Sequence, residues 1–270
     1  MRAARLLTLF GAPALGLLAG LAFATPAGAE EEIVLPKQNW SFSGPFGTFD
    51  RAAAQRGFQV YNEVCKNCHS LNLVSFAALT EPGGPEFTDA EAKAIAASYQ
   101  IPADPNKQGQ TYDDKGNRLT RPGILADHFP PPFPNEEAAR ATFNGALPPD
   151  LSVIVKAREG GPQYVYSILT GFGQNPPKGF TVVDGKYFNP YFAGWNISMP
   201  PPLADGAVTY TDGTKATLDQ EAHDVVTFLT WAAEPKMEQR KRLGFEVLVF
   251  LTVLAGLLYL SYRRVWKDAH

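Results

Sequence analysis

Residues 61–71 read YNEVCKNCHSL, and they hold both cysteines of a 270-residue chain, with a histidine directly after the second. Cys-x-x-Cys-His is the attachment pattern of c-type haem. The thiols of Cys65 and Cys68 add to the two vinyl groups, whose separation this spacing matches, and His69 comes to lie under the iron as proximal ligand. A structural zinc site needs four ligands, usually several of them thiolates. A thioredoxin-like pair belongs in an alternating βαβ context, which is missing here. A disulfide at this spacing is sterically poor and leaves His69 without a role. One motif predicts one covalently bound haem c.

The sixth iron ligand is then chosen from few residues. Of three methionines, Met1 falls in the leader described below. Met237 is flanked by Lys236 and Glu238. Met199 stands in WNISMPPPLADG, where the prolines hold the loop at low entropic cost. The competitors are His128, in LADHFPPP, and His223, read among Glu221, Ala222 and Asp224 on the polar face of a helix. Met199 is the favoured ligand, with His128 or an open iron as alternatives. A His/Met pair closes the iron to substrates and implies electron transfer. An open iron would imply a ligand-binding sensor.

Outward from the motif, the chain reads as mainly helical with long loops, in keeping with its 24 glycines and 23 prolines. Residues 50–64 form a helix capped by Asp50 that runs into Cys65. Thr88-Asp89-Ala90-Glu91 is a capping box opening a second helix. Residues 101–135 read as loop. Glu136–Phe143 is a short helix closed by Asn144-Gly145. Two more short helices are expected on either side of Gly160-Gly161. Asp212-Gly213, between the β-prone runs of 207–217, predicts a small hairpin. A long amphipathic helix opens at Thr217, buries Val225, Phe228, Leu229 and Trp231, and stops at Pro235.

The two ends have other characters. Arg2 and Arg5, an apolar run from Leu6 to Phe23, and Ala27-Gly28-Ala29 ahead of three glutamates read as a cleaved signal peptide, 1–29. Leu243–Tyr262 is apolar for 20 residues apart from Glu246 and a few small polar side chains. At about 1.5 Å per residue it covers about 30 Å, the thickness of a bilayer core. The expected organisation is an exported haem c domain, 30–239, then a linker and transmembrane anchor, 240–262, then a cytoplasmic tail, 263–270. Glu238–Arg242 reads as a charged linker, so the haem domain is expected to fold without its anchor. Arg240, Lys241 and Arg242 lie on the outer side, against the positive-inside rule, but the leader decides the side reached. Residues 30–239 carry 25 Asp and Glu against 16 Lys and Arg, a net of −9. Such a charge suits a basic soluble partner as well as simple solubility. No basic run suggests nucleic acid.

Longer strings carry a family resemblance: FGTFDRAAAQRGFQVYNEVCKNCHSL, RPGILADHFPPPFPNEEAARATFNGALPPDLS, YVYSILTGF, YFNPYFAGWNISMPPPL and TFLTWAAEPKMEQRKRLG. These resemble the cytochrome c1 family, the haem subunits of cytochrome bc1 complexes (ubiquinol–cytochrome c reductases). NGALPPDLS and WAAEP are far more specific than the haem motif. The second cysteine pair of some bacterial members is absent. The resemblance implies an enlarged class I cytochrome c domain with loop insertions. It implies thioethers at Cys65 and Cys68 and axial ligands at His69 and Met199. It places Asn144, Ala146, Pro148 and Pro149 along one haem face, Arg158 at a propionate, and Tyr164, Ile168, Leu169, Phe192 and Ile197 around the pocket. Without it, the apolar members of this set read as ordinary core and Arg158 as a solvated arginine. The implied partners are cytochrome b, the Rieske iron–sulfur protein, a soluble or tethered cytochrome c-type acceptor and the lipid bilayer of a bacterial-type inner membrane. The chain is a carrier and not catalytic alone. The alternative is a haem c subunit of an exported dehydrogenase or terminal oxidase.

Overall fold

The computed structural model describes residues 33–268. The expected signal peptide and the last two residues of the expected tail lie outside them. The chain divides after Val34, and all that follows concerns the unit from Leu35 onward.

Two helices build its centre. Helix α1, Arg51–Glu63, starts where the Asp50 carboxylate accepts the Ala53 N–H at 3.1 Å, which satisfies a donor that the first turn leaves unpaired. Helix α5, Leu218–Ala233, is capped by the Thr217 hydroxyl and ends just before Pro235. They pack directly on each other at Gly57. A Cβ there would lie 2.0 Å from the Asp224 carbonyl oxygen and 2.8 Å from the Phe228 Cβ. Around this crossing Phe58, Tyr61, Phe76, Phe129, Phe228 and Trp231 form an aromatic core.

Helix α5 departs from the amphipathic expectation. Glu221, Ala222 and Asp224, expected on a polar face, are fully buried. Arg56 on α1 makes this possible: its Nε and Nη2 donate to the two Asp224 carboxylate oxygens at 2.8 and 3.1 Å. A buried carboxylate is tolerated when a bidentate guanidinium neutralises it. Glu221 Oε1 accepts the Val208 N–H at 3.0 Å. That bond also explains why no ladder forms at 207–217. Val208 and Tyr210 are drawn into the core. Backbone donors turn to Glu221, to the Asp212 side chain and to the Ala216 carbonyl.

The small sheets lie elsewhere. Strands β1, Gln100–Pro102, and β2, Thr120–Pro122, pair antiparallel with Ile101 opposite Arg121, inside the stretch expected as loop. Strands β3, Tyr187–Phe188, and β4, Asn196–Ile197, form the second antiparallel pair. Prolines at strand ends and lengths of two or three residues leave no alternation to read. Three short α-helices complete the described unit, one ahead of the first pair in the chain and two between the pairs. Helix α2, Asp89–Ala97, carries the expected Thr88–Glu91 capping box. Helix α3, Glu136–Thr142, closes through Asn144 and Gly145, both at positive φ. Helix α4, Pro162–Thr170, follows Gly161. The helix expected before Gly160-Gly161 is a run of turns, bonded Ile154 to Leu151 and Lys156 to Val153.

Helix α6 runs unbroken from Met237 to Val265, so the stretch expected as a charged linker is helical. Its first turns are packed on the domain. Met237 is buried, Glu238 takes a bidentate bond from Arg51 at 2.7 and 2.8 Å, and Lys241 Nζ donates to the Phe42 and Gly47 carbonyls. Beyond Arg242 the helix is exposed throughout and is long and apolar enough to cross a membrane.

Candidate functional site

Helix α1 delivers the motif. The chain tightens after Val64 into the 3-10 turn Cys65–Asn67, and the Cys65 carbonyl accepts both the Cys68 and His69 N–H groups, at 3.1 and 2.9 Å. Two sulfurs and an imidazole are thereby gathered at the end of one rigid element. Both cysteines are free and half-buried. Burial, and then the neighbouring Cys68, push the Cys65 thiol up to about 12, and burial raises Cys68 as well. Disulfide exchange favours an accessible thiol of low pKa, which neither provides. Among the described residues, no group of three or more His, Cys, Asp or Glu side chains comes together to hold a metal ion. The zinc reading therefore has no cage.

His69 Nδ1 lies 2.8 Å from the Pro149 carbonyl oxygen. A carbonyl only accepts, so Nδ1 carries the proton and Nε2 keeps its lone pair. Burial holds the ring below its ordinary pKa, with the Pro149 bond pulling the other way. A neutral imidazole, oriented through one N–H and open at the other nitrogen, is the form that ligates a metal. The donor set thus fits haem: two protonated thiols available for thioether formation and one oriented nitrogen.

The loop that supplies Pro149 is pinned by Asp150. Its carboxylate accepts from Ser70 Oγ at 2.7 Å, from the Asn72 N–H at 2.9 Å and from the Ser152 N–H at 2.8 Å. Burial opposes the charge, yet these bonds hold the carboxyl below its usual range. Leu151 N–H closes the seam on the Ser70 carbonyl. Pro149, Asp150 and Leu151 are thereby fastened to His69, Ser70 and Asn72, directly after the two cysteines. The Asp after two prolines reads as a surface turn residue, and only the Asp-x-Ser turn hints at its work.

Met199 follows β4 by two residues and is half-buried. Its neighbours Ser198 and Pro200 line a cavity of about 250 Å³ together with Phe143, Asn144 and Tyr187. The β3–β4 loop is organised by the fully buried Asn189, which donates to the Ile168 carbonyl on α4 at 2.8 Å and accepts the Tyr191 N–H. An Asn between Phe and Pro carries no motif, and nothing in its local pattern marks it. Hydrogen bonds join the motif to Pro149 and the β3–β4 loop to α4, and Asn144 shares a cavity wall with the residues on either side of Met199.

On this framework Ile168 and Ile197 are buried. Ala146, Pro148, Tyr164, Leu169 and Phe192 are half-buried, and Asn144 and Pro149 are exposed. Arg158 is exposed and donates to the adjacent Ala157 carbonyl. It lies near enough to Tyr164 for its charge to oppose the rise that burial gives the phenol. The rival ligands are placed differently. Met237 is enclosed in the core. His223 stacks on the Trp40 ring at 4.7 Å. His128 is exposed, with Nδ1 2.7 Å from the Asn72 carbonyl.

Residues 40–269 match the model of the cytochrome C1 family. Among curated proteins, the chain is 50% identical over 253 residues to cytochrome b/c1 of Bradyrhizobium diazoefficiens, covering 87% of this chain and 36% of that relative. It is 46% identical over 254 residues to cytochrome c1 of Rhodospirillum rubrum, covering 88% and 90%. With a mitochondrial cytochrome c1 haem protein of Arabidopsis thaliana it shares 45% identity over 261 residues, covering 97% and 81%.

Proposed function

The chain belongs to the cytochrome c1 family, and on that premise we propose that it is the membrane-anchored haem subunit of a cytochrome bc1 complex. It takes electrons from a Rieske iron–sulfur protein and passes them to a soluble or tethered cytochrome c. Haem, when bound, supplies an iron that changes oxidation state by one electron. The chain's residues hold and tune it. Cys65 and Cys68 bind it covalently. His69, oriented by Pro149, and Met199 ligate the iron, and a thioether ligand favours the reduced state. Asn144, Ala146, Pro148, Pro149, Tyr164, Ile168, Leu169, Phe192 and Ile197 enclose it, and Arg158 meets a propionate. The chain alone catalyses no reaction.

Residues 1–29 are removed on export, the haem domain stands on the periplasmic side of an inner membrane, α6 crosses the bilayer beside cytochrome b, and the tail remains inside. The acidic surface steers a basic acceptor. Its candidate docking charges form two clusters, Glu81, Glu86, Asp89 and Glu91, and Asp104, Asp113 and Asp114; within the first, Glu81 and Glu86 are paired with Lys236 and Arg51. Family membership lends no support to the dehydrogenase or oxidase alternative.

The observation that most supports this reading is the His69–Pro149 bond, which leaves one imidazole nitrogen open beside two free thiols. The test is the mass and spectrum of the purified chain. The expected mass is that of a chain starting at Glu30 plus one haem. Met199→Leu should abolish the sulfur-to-iron charge-transfer band and lower the potential. A haem removable by acid–acetone, or an unchanged Met199→Leu spectrum, would overturn the assignment.

A further inference from the structure

The loop before α1 carries an aromatic side chain that the haem site does not use. Residues 41–48, SFSGPFGT, are closed by the Thr48 N–H on the Ser41 carbonyl and rooted by the buried Phe42 and Phe49. Gly47 is needed for the close turn, since a Cβ there would meet the Ser43 carbonyl oxygen at 2.1 Å. At the tip, Phe46 is 75% exposed. A lone exposed phenylalanine is ordinary on a protein surface, but this one is held in a particular place. Lys241 on α6 donates to the carbonyls of Phe42 and Gly47 on either side of the tip, at 2.6 and 3.0 Å. The Phe46 ring meets Phe245 edge-on at 5.8 Å.

Phe245 belongs to the apolar part of α6. It lies three residues past Arg242, whose guanidinium pairs with Glu246 on the helix surface, and it is itself exposed. Arg and Lys near the end of a membrane helix mark the headgroup level, and aromatic rings concentrate there. The Phe46 tip thus stands at the depth where α6 leaves water.

Resting on the reading of α6 as a membrane anchor, we infer that the 43–47 loop is a second membrane contact, with Phe46 inserted into the lipid interface beside Phe245. The occupant is lipid because the exposed Phe46 surface continues the exposed apolar face of α6 from Leu243 onward. With the Arg51–Glu238 and Lys241 bonds holding helix to domain, the haem domain stands on the bilayer at two points and has one orientation.

The test is spin-label depth in the full-length, haem-loaded chain, reconstituted into vesicles of phosphatidylcholine and phosphatidylglycerol. With Cys65 and Cys68 held in thioethers, single labels go on Phe46→Cys, on Pro45→Cys as a second reporter, on Leu257→Cys within α6, and on Tyr112→Cys in an exposed loop. Power saturation compares collision with oxygen, which partitions into lipid, and with a nickel chelate, which stays in water. The inference expects oxygen to exceed nickel at 46 and at 257, and the reverse at 112. An aqueous profile at both 45 and 46, with a lipid profile at 257, would overturn it while leaving the anchor intact. An aqueous profile at 257 would overturn the anchor reading and this inference with it. Protection of 46 only in the assembled complex, and not in the isolated chain, would assign the tip to a protein subunit and likewise overturn it.

Discussion

Replacing Gly57 by alanine tests whether the α1–α5 contact sets the position of the haem motif. In an isolated helix the change is favourable by about 1 kcal/mol. In the crossing, the new Cβ would stand 2.0 Å from the Asp224 carbonyl oxygen and 2.6 Å from its carbon, where about 3.0 Å is the floor. The neighbours are backbone atoms in the middle of a buried helix, so no side chain can swing away. The helices must part by about 1 Å, which loosens Val60 and Tyr61 against Val225 and Phe228. Overpacking of this kind costs about 1–3 kcal/mol, and a site without relief belongs at the upper end. The net expectation, about 2 kcal/mol after the propensity gain, lowers the melting temperature by about 4–8 °C for a chain of this size. The assay is thermal unfolding in detergent, followed by tryptophan fluorescence and by the haem band. Gly244→Ala, within α6 where nothing lies within 4 Å, is the control: it has the propensity gain without the clash and should melt no lower than the parent. Because α1 carries Cys65–His69, the Met-to-iron band should also weaken in Gly57→Ala. A variant as stable as the parent, or more so, would show that the crossing has slack and that the contact does not position the motif.

Asp150→Ala removes three hydrogen bonds and frees the loop that orients His69, at a cost of about 2 kcal/mol. Its carboxyl lies below the usual range, so the contribution is present above the ordinary carboxylate pKa and fades as pH falls through the depressed folded value; an unchanged acid-unfolding profile would refute this. Glu221 has the opposite sign. Burial raises its pKa, despite bonds from the Val208 and Ala207 N–H groups and with Asp205 adding to the rise. Its contribution is therefore full below the unfolded value of about 4.3 and declines as pH rises towards the folded one. Glu221→Gln should gain stability relative to the parent across that window, and urea melts showing a pH-independent difference would contradict it. Arg56→Leu strands the buried Asp224 charge and should cost about 3–5 kcal/mol, whereas Arg56→Leu with Asp224→Leu should recover much of it.

Features set by neighbouring residues were legible in the sequence. Asp50 and Thr88 announce their helices because a cap lies three residues from the donor it satisfies. Pro235 ends α5, and Asn144-Gly145 ends α3, through local backbone limits. Cys65, Cys68 and His69 read as a site because the chemistry dictates their spacing. What stayed hidden depends on residues far apart in the chain. Asp224 looks solvated until Arg56, 168 residues away, is brought onto it. Glu238–Arg242 looks like a linker until Arg51, Phe42 and Gly47 fold back on it. Asp212-Gly213 has the composition of a hairpin turn, but Glu221 takes the Val208 donor. Asp150 and Asn189 bind backbone groups from other segments, which no local pattern reports.

The proposed relay of electrons from a quinol-driven Rieske centre through this chain to a cytochrome c can be followed in time. The direct measurement is stopped-flow mixing of membranes containing the assembly with quinol and excess oxidised cytochrome c, following the c-type and b-type haem bands separately. The haem on Cys65 and Cys68 should be reduced before the soluble cytochrome, Met199→Leu should slow the second step, and rising salt should slow it too. Reduction of soluble cytochrome c at the parental rate while this haem stays oxidised would contradict the relay.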